Sequence, residues 1–500
     1  MTTRAIDPTF LALPLDRLAD VALDIARKRG ATYADFRVER LRNHVIVARD
    51  RELQTSVEGE TVGFSVRVVA NGAWGFAAGV DLTVEAVSDV ARRAVEVAQS
   101  LAPLNTEPVT LADEPVYHDT YVSSYEIDPF AVAEDHKINF LLTLNERALA
   151  SKLIDRVTSY LLLVREQKYL ASLSGSRITQ QRVRVKGDFT AVRIDKSTGA
   201  FETMGNAAPP AGQGWEYFTT GYDWGKDADE IPALLEQKMA SPSIAPGRYD
   251  VVIDPTNLWL TIHESIGHST ELDRVLGYEA NYAGTSFATL DKLNTLQVGA
   301  PMMHVTGDRQ VEHGLSTIGY DDEGVAAQTW DIVRDGVLVG YQLDRQMAHK
   351  QRFGRSNGCA FADQAGRVPL QRMPNVSLSA SAKPITLNDL LSGMGDGLYI
   401  VGDKSWSIDM QRYNFQFTGQ KFFQVRGGKI VGQVKDVAYQ SRTTDFWNSM
   451  EAVGGPSTYV LGGAFNCGKG QPGQIAPVSH GCPAALFRQI NILNTAQEGS

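Results

Sequence analysis

The sequence predicts an α+β protein of two lobes. An amino-terminal α+β lobe with an antiparallel sheet precedes a β-rich carboxy-terminal lobe that carries a metal-binding helix. Three observations predict it. Five hundred residues exceed what one hydrophobic core usually serves. In the first half, apolar residues at helical spacing alternate with period-two runs. The second half is dense in short β-rich runs punctuated by turns. A break near residue 245, at Ser241-Pro242-Ser243-Ile244-Ala245-Pro246-Gly247, divides the chain into 1–245 and 246–500.

The first helix is predicted over Leu15–Ala26, with Gly30 where it stops. Strands follow at Tyr33–Arg42, His44–Ala48 and Gly63–Ala70. Asn71-Gly72 then reads as a hairpin turn into Ala73–Ala77. Thr83 or a neighbour opens a helix through Ala98, and Asp135–Ser151 reads as another. Arg156–Ser172 resembles two paired strands, while Gln181–Arg193 alternates strictly with one polar face. A Gly/Pro-rich break at Gly205–Gly214 and a helix over Asp227–Met239 lead to the boundary. Beyond it, Tyr249–Pro255 is a buried strand, and Thr256 or Asn257 caps a helix through Leu258–Ile262. Further strands are predicted at Met303–Val305, Trp330–Val333, Val337–Leu343, Leu398–Val401, Phe415–Phe417 and Phe422–Val425. Turns fall at Arg334-Asp335-Gly336 and Arg426–Lys429.

Hydrophobic content of 43% and charged content of 21% are those of an ordinary globular chain. A net charge of −10 argues against binding nucleic acid or an anionic membrane. No segment approaches the ~20 apolar residues of a membrane span. The start, Met1–Pro8, lacks an apolar run behind basic residues, which points to a cytoplasmic protein. Three cysteines (Cys359, Cys467, Cys482) are too few for a disulfide framework.

The most informative stretch is His263-Glu264-Ser265-Ile266-Gly267-His268, a His-Glu-x-x-x-His pattern. In His-Glu-x-x-His zinc sites both imidazoles share one helical face, with the glutamate as general base. Here the second histidine comes one residue later, ~140° away around an ideal helix, too far to share a metal. A π-bulge absorbs the extra residue and restores the common face. Gly267 is read as providing the backbone freedom for it.

A catalytic zinc takes three protein ligands and keeps one open position. Candidates for the third are Glu271, Asp273, Glu279, His304, His313, His349, His480 or a cysteine. Glu271, three residues after His268, reads better as a carboxylate bracing that histidine. Cys359 reads as a buried inert thiol. Cys467 lies between glycines in Gly462–Pro472, a stretch suited to close approach, although such loops are also plain turns.

Taken together, Thr261–His268, Asp322-Glu323-Gly324, Pro369–Asn375 and Phe465-Asn466-Cys467-Gly468-Lys469 resemble the TldD/PmbA family of zinc metalloproteases, in its TldD-type catalytic subunit. The resemblance runs over most of the chain and is strongest from about residue 249. It implies Zn2+ held by His263, His268 and Cys467, and a homodimer or a heterodimer with a PmbA/TldE-type partner. The substrates it implies are unfolded or modified peptides. The chain departs from the family pattern at Val478–Pro483, where no histidine or cysteine is expected.

Glu264 is the expected general base, taking a proton from water and passing it to the leaving amine. Arg372 is a candidate for binding a substrate carboxylate, or else a structural ion pair. Two other functions fit the same residues. One is a non-catalytic scaffold subunit; the other is a metal-dependent amidohydrolase acting on non-peptide amides.

Overall fold

A computed structural model describes residues 5–496. The first four residues of the amino-terminal stretch and the last four of the chain lie outside the described residues.

The amino-terminal sheet is built from long strands: β1 (Tyr33–Arg49), β2 (Glu52–Ala70), β3 (Ala73–Gly79), β4 (His118–Val122), β5 (Arg156–Ser172), β6 (Arg177–Ile194) and β7 (Phe201–Gly205). They lie in the order β3-β2-β1-β5-β6-β4, with β7 also paired to β6. Helices α1 (Pro8–Leu11), α2 (Leu15–Lys28), α3 (Val84–Leu101), α4 (Glu134–Leu149) and α5 (Trp224–Ala240) accompany it. α2 and α3 bury their apolar stripes on Phe36, Val38, Phe64 and Val66, while α4 and α5 pack near Leu161, Leu163 and Phe189. Thr83 caps α3 by accepting from the Ala86 N–H.

Two expectations change here. Tyr33–Arg42 and His44–Ala48 are one strand, and Arg156–Ser172 is one strand rather than a pair. β1 and β6 pair the polar run Arg165-Glu166-Gln167-Lys168 on both sides, so the strand is unbroken there. Its charges are carried because the sheet's polar face is buried. Lys168 Nζ reaches the Asp322 carboxylate at 2.8 Å and the Ala362 carbonyl at 3.0 Å, and Arg67 reaches Glu323 at 3.1 Å. The polar alternation of β6 thus faces residues 309–372 of the chain's second half, not water.

That second half contains β8 (Gly247–Ile253), α6 (Pro255–Ile262), β9 (Val305–Asp308), β10 (Thr329–Arg334), β11 (Val337–Leu338), β12 (Ala360–Phe361), β13 (Leu370–Gln371) and β14 (Asn375–Leu378). It continues with β15 (Gly397–Ile408), β16 (Asn414–Arg426), β17 (Lys429–Val434), β18 (Val437–Arg442), β19 (Met450–Val453), β20 (Val460–Lys469), β21 (Gln474–Cys482) and β22 (Ala485–Asn494). The main sheet runs β15-β8-β22-β18-β16-β17, and β16 also pairs with β15, so its strands close on themselves. The two runs predicted within Phe415–Val425 are one strand, and Val337–Leu343 is a strand only at its start. The Met303–Val305 strand begins at Val305.

Candidate metal centre

β8 delivers the chain to Asp254, whose Oδ1 accepts from the Thr256 N–H at 3.0 Å and caps α6. Thr256 and Asn257 were the expected caps. Asp254 takes the role because Pro255, its φ fixed, occupies the first helical position.

α6 ends at Ile262, and His263–Gly267 form one π turn followed by a 3₁₀ turn, His268–Thr270. The His268 N–H donates to the His263 carbonyl, a five-residue step. The widened turn brings the two imidazoles to 4.7 Å between centroids. Gly267 has ordinary helical dihedrals (φ −55°, ψ −61°), so backbone freedom is not its reason. Space is: a Cβ there would lie 2.6 Å from Sδ of the fully buried Met373.

Cys467 comes from β20, beside an irregularity in register between Ala464 and Cys467. His263, His268 and Cys467 each offer a donor atom, all within 4.8 Å of one another, and all three residues are buried. Cys467 Sγ is 3.7 Å from His268 Nε2. The other imidazole nitrogens are engaged: His268 Nδ1 lies 2.7 Å from Glu271 Oε2, and His263 Nδ1 lies 2.7 Å from His480 Nε2. Two imidazoles and a thiol at this separation, each imidazole braced at its far nitrogen, fit a zinc donor set.

Glu264 Oε2 accepts from Arg412 Nη1 at 2.9 Å. Burial pushes its pKa up, but the positive potential of His268, His263 and Arg412 outweighs this and holds it below the usual carboxylate range. Burial pulls the His263 pKa down. Burial acts against ionised Glu271 too, yet Lys469, His268 and Arg274 hold its carboxyl well below the usual range. Lys469 Nζ lies 3.4 Å from Glu271, 2.8 Å from Asp273 and 3.1 Å from Glu279.

Other candidates fall elsewhere. Asp273 and Glu279 serve Lys469. His304 and His313, 44% and 36% exposed, sit beside Asp335 and Glu312 at the surface. His349 is exposed at the end of a short helix. Burial pushes the Cys359 thiol up to about 12. Cys482 Sγ points to the Pro255 carbonyl. Arg372 is fully buried and does not line the cleft: its Nη2 donates to the Cys467 carbonyl at 2.6 Å.

Sequence reasoning missed Arg412 and the roles of Lys469 and His480. Lys469 had a signal, since i and i+2 in a strand share a face and Cys467 is its i partner. Arg412 had none, and the departure at Val478–Pro483 marked His480 without revealing its partner, because these contacts span 148 and 217 residues.

His263, Glu264, His268 and Cys467 line a cleft of about 460 Å³ between the two halves. Lys186 and Asp188 of β6, Trp406 of β15 and Gly462–Gly463 of β20 form other parts of its wall.

A family model described as the PmbA/TldA metallopeptidase C-terminal domain matches residues 246–494, and one for domain 1 of the same metallopeptidases matches 34–98. A protein named metalloprotease from Methanothermobacter thermautotrophicus is 26% identical over 490 residues, covering 97% of this chain and 100% of that protein. A zinc metalloprotease TldD homolog of Saccharolobus solfataricus is 23% identical, over 93% of this chain and 98% of its own. Among solved structures, TldE from Thermococcus kodakarensis superposes with a TM-score of 0.73 at 13% identity, covering 95% and 99% of the two chains. A Thermotoga maritima protein solved as a candidate modulator of a DNA gyrase gives 0.77 at 16% identity, covering 96% and 100%. The chain belongs to the TldD/PmbA family.

Proposed function

We propose that the protein is a zinc-dependent peptidase acting on unfolded or modified peptides. One observation carries the reading: two imidazoles and a thiol converge beside an ionised glutamate on the wall of a cleft. His263, His268 and Cys467 would hold the metal. Zinc, when bound, supplies a Lewis acid that polarises a carbonyl and brings the pKa of water towards ~7.

Glu264 then does the proton work. Arg412 occupies its Oε2, which leaves Oε1 to take the proton from the attacking water and return it to the leaving amide nitrogen. Among the described residues β20 pairs with β21 alone, so its other edge is open beside the cleft. An extended backbone adds to such an edge through main-chain hydrogen bonds, which favours unfolded over folded substrates. A relative named zinc metalloprotease supports the choice of metal. The fold shared with a TldE supports a dimeric assembly, with a second copy or a PmbA/TldE-type subunit. No helix among the described residues is long and apolar enough to cross a membrane. A cytoplasmic site, and lobes dividing near residue 245, belong to the same reading.

The test is Glu264→Gln. Cleavage of an unfolded peptide should fall roughly 10²- to 10⁴-fold in kcat/KM while bound zinc is unchanged. Undiminished cleavage by the variant overturns the reading.

A further inference from the structure

The β20–β21 hairpin delivers more than a sulfur. β20 carries Cys467 and, two residues on, Lys469, which grips the Glu271 that braces His268. β21, in register with β20 through Gly462 and His480, carries a group onto the other histidine of the pattern. His480 Nε2 lies 2.7 Å from His263 Nδ1, and His480 Nδ1 lies 2.8 Å from the Val376 carbonyl. The ring is fully buried and stacks on Trp259, with centroids 6.1 Å apart and planes 14° from parallel. Gly462 makes room for that stack, since a Cβ there would lie 2.7 Å from Trp259 Cγ.

The Val376 carbonyl sets the direction of the whole chain. A carbonyl only accepts, so His480 Nδ1 carries its hydrogen. A neutral imidazole has one N–H, so His480 Nε2 accepts. The ring is fully buried and its polar contacts are one imidazole nitrogen and one carbonyl, with no carboxylate to compensate a charge, so the neutral ring is the one this site accommodates. His263 Nδ1 must therefore be the donor, which leaves a bare lone pair on His263 Nε2. Among the described residues this is the hydrogen bond that selects between the ring's two neutral tautomers, and only one of them offers Nε2 to a cation.

We propose that His480 is a positioning residue that locks His263 in its Nδ1–H tautomer and fixes the plane of the ring, so that Nε2 is presented to zinc. The inference rests on the zinc reading above, and it assigns a role to the segment where the chain departs from the family pattern. One hairpin then supplies the sulfur, the lysine that holds the brace of His268, and the brace of His263 itself.

Two measurements test it. In metal-free wild-type protein labelled with ¹⁵N-histidine, long-range ¹H–¹⁵N correlations report the tautomer of each of the nine histidines. His263 is assigned by its absence in His263→Gln. A protonated Nδ1 and bare Nε2 are expected; a protonated Nε2 overturns the proposal. Zinc affinity, read by competition with a chelator, should weaken about 10- to 100-fold in His480→Phe. It should stay near wild type in His480→Gln, whose amide accepts from His263 and donates to Val376. Equal affinity in wild type and His480→Phe overturns the proposal while leaving the zinc reading intact. A wild type that takes up no zinc overturns both. If His480→Phe does not fold, the wild-type tautomer decides alone.

Discussion

Two buried ionic clusters, built from the same residue types, serve different ends. Around Lys469, three carboxylates lie within 3.4 Å of one ammonium, and Arg274 pairs with two of them. One of those carboxylates, Glu271, is hydrogen-bonded to His268. Around Lys168, the partners are Asp322 at 2.8 Å, with Glu39 and Glu166 at 3.7 Å. Neither oxygen of Glu39 has a hydrogen-bond partner, and Arg184 leaves two nitrogens unpaired. In the first cluster every carboxylate lies within 3.4 Å of a cation, Glu279 Oε1 alone lacks a hydrogen-bond partner, and the chain of contacts ends on His268. The second is more loosely satisfied and ties the amino-terminal sheet to the turn at Asp322. The difference separates a device that sets the angle of one ring from one that fastens a large polar surface.

Replacing each lysine tests that distinction most strongly. Lys168→Met removes the cation nearest Asp322, and breaking a buried pair of this kind costs about 3–5 kcal/mol. Denaturant unfolding should show that loss, with zinc affinity unchanged. Lys469→Met should also destabilise, but it frees Glu271 and should weaken zinc binding about 10- to 100-fold as well. If both variants lower zinc affinity alike, the two clusters are not functionally distinct.

A smaller effect sharpens the same contrast. Burial pushes the Glu39 carboxyl up to about 7, against the pull of Lys168. Between the ordinary value of 4.5 and about 7 the folded chain keeps a proton that the unfolded chain has lost. Glu39 therefore makes the protein less stable as pH rises across that window, with no further change above it. Glu39→Gln should be more stable than wild type at pH 8, by on the order of 1–3 kcal/mol, and similar to it at pH 4. Unfolding curves at the two pH values check this; no gain at pH 8 means Glu39 is better paired than its contacts indicate.

Local signals were legible in the sequence. The periodicity of Leu15–Ala26 and the stop at Gly30 match α2, whose trailing Gly30 has φ +86°. Asn71 and Gly72 adopt φ 51° and 75°, the left-handed pair a tight hairpin needs. The one-residue excess between His263 and His268 demanded a widened turn, and the π turn is there. Long-range features were not legible. Closure of the second sheet depends on β8 meeting β15, roughly 150 residues on, and β22, more than two hundred residues on, for which no local pattern exists. That Arg156–Ser172 is one strand was not legible either, because the partner of its Lys168 lies 154 residues away at Asp322. Arg412 and His480 are single residues whose meaning comes only from what folds against them.

X-ray absorption of the zinc-loaded protein tests the donor set most directly. One sulfur at about 2.3 Å together with two nitrogens at about 2.0–2.1 Å is the expected first shell. The sulfur should vanish in Cys467→Ser. A wild-type shell without sulfur, or a sulfur that persists in Cys467→Ser, contradicts the assignment of His263, His268 and Cys467 as the metal's ligands.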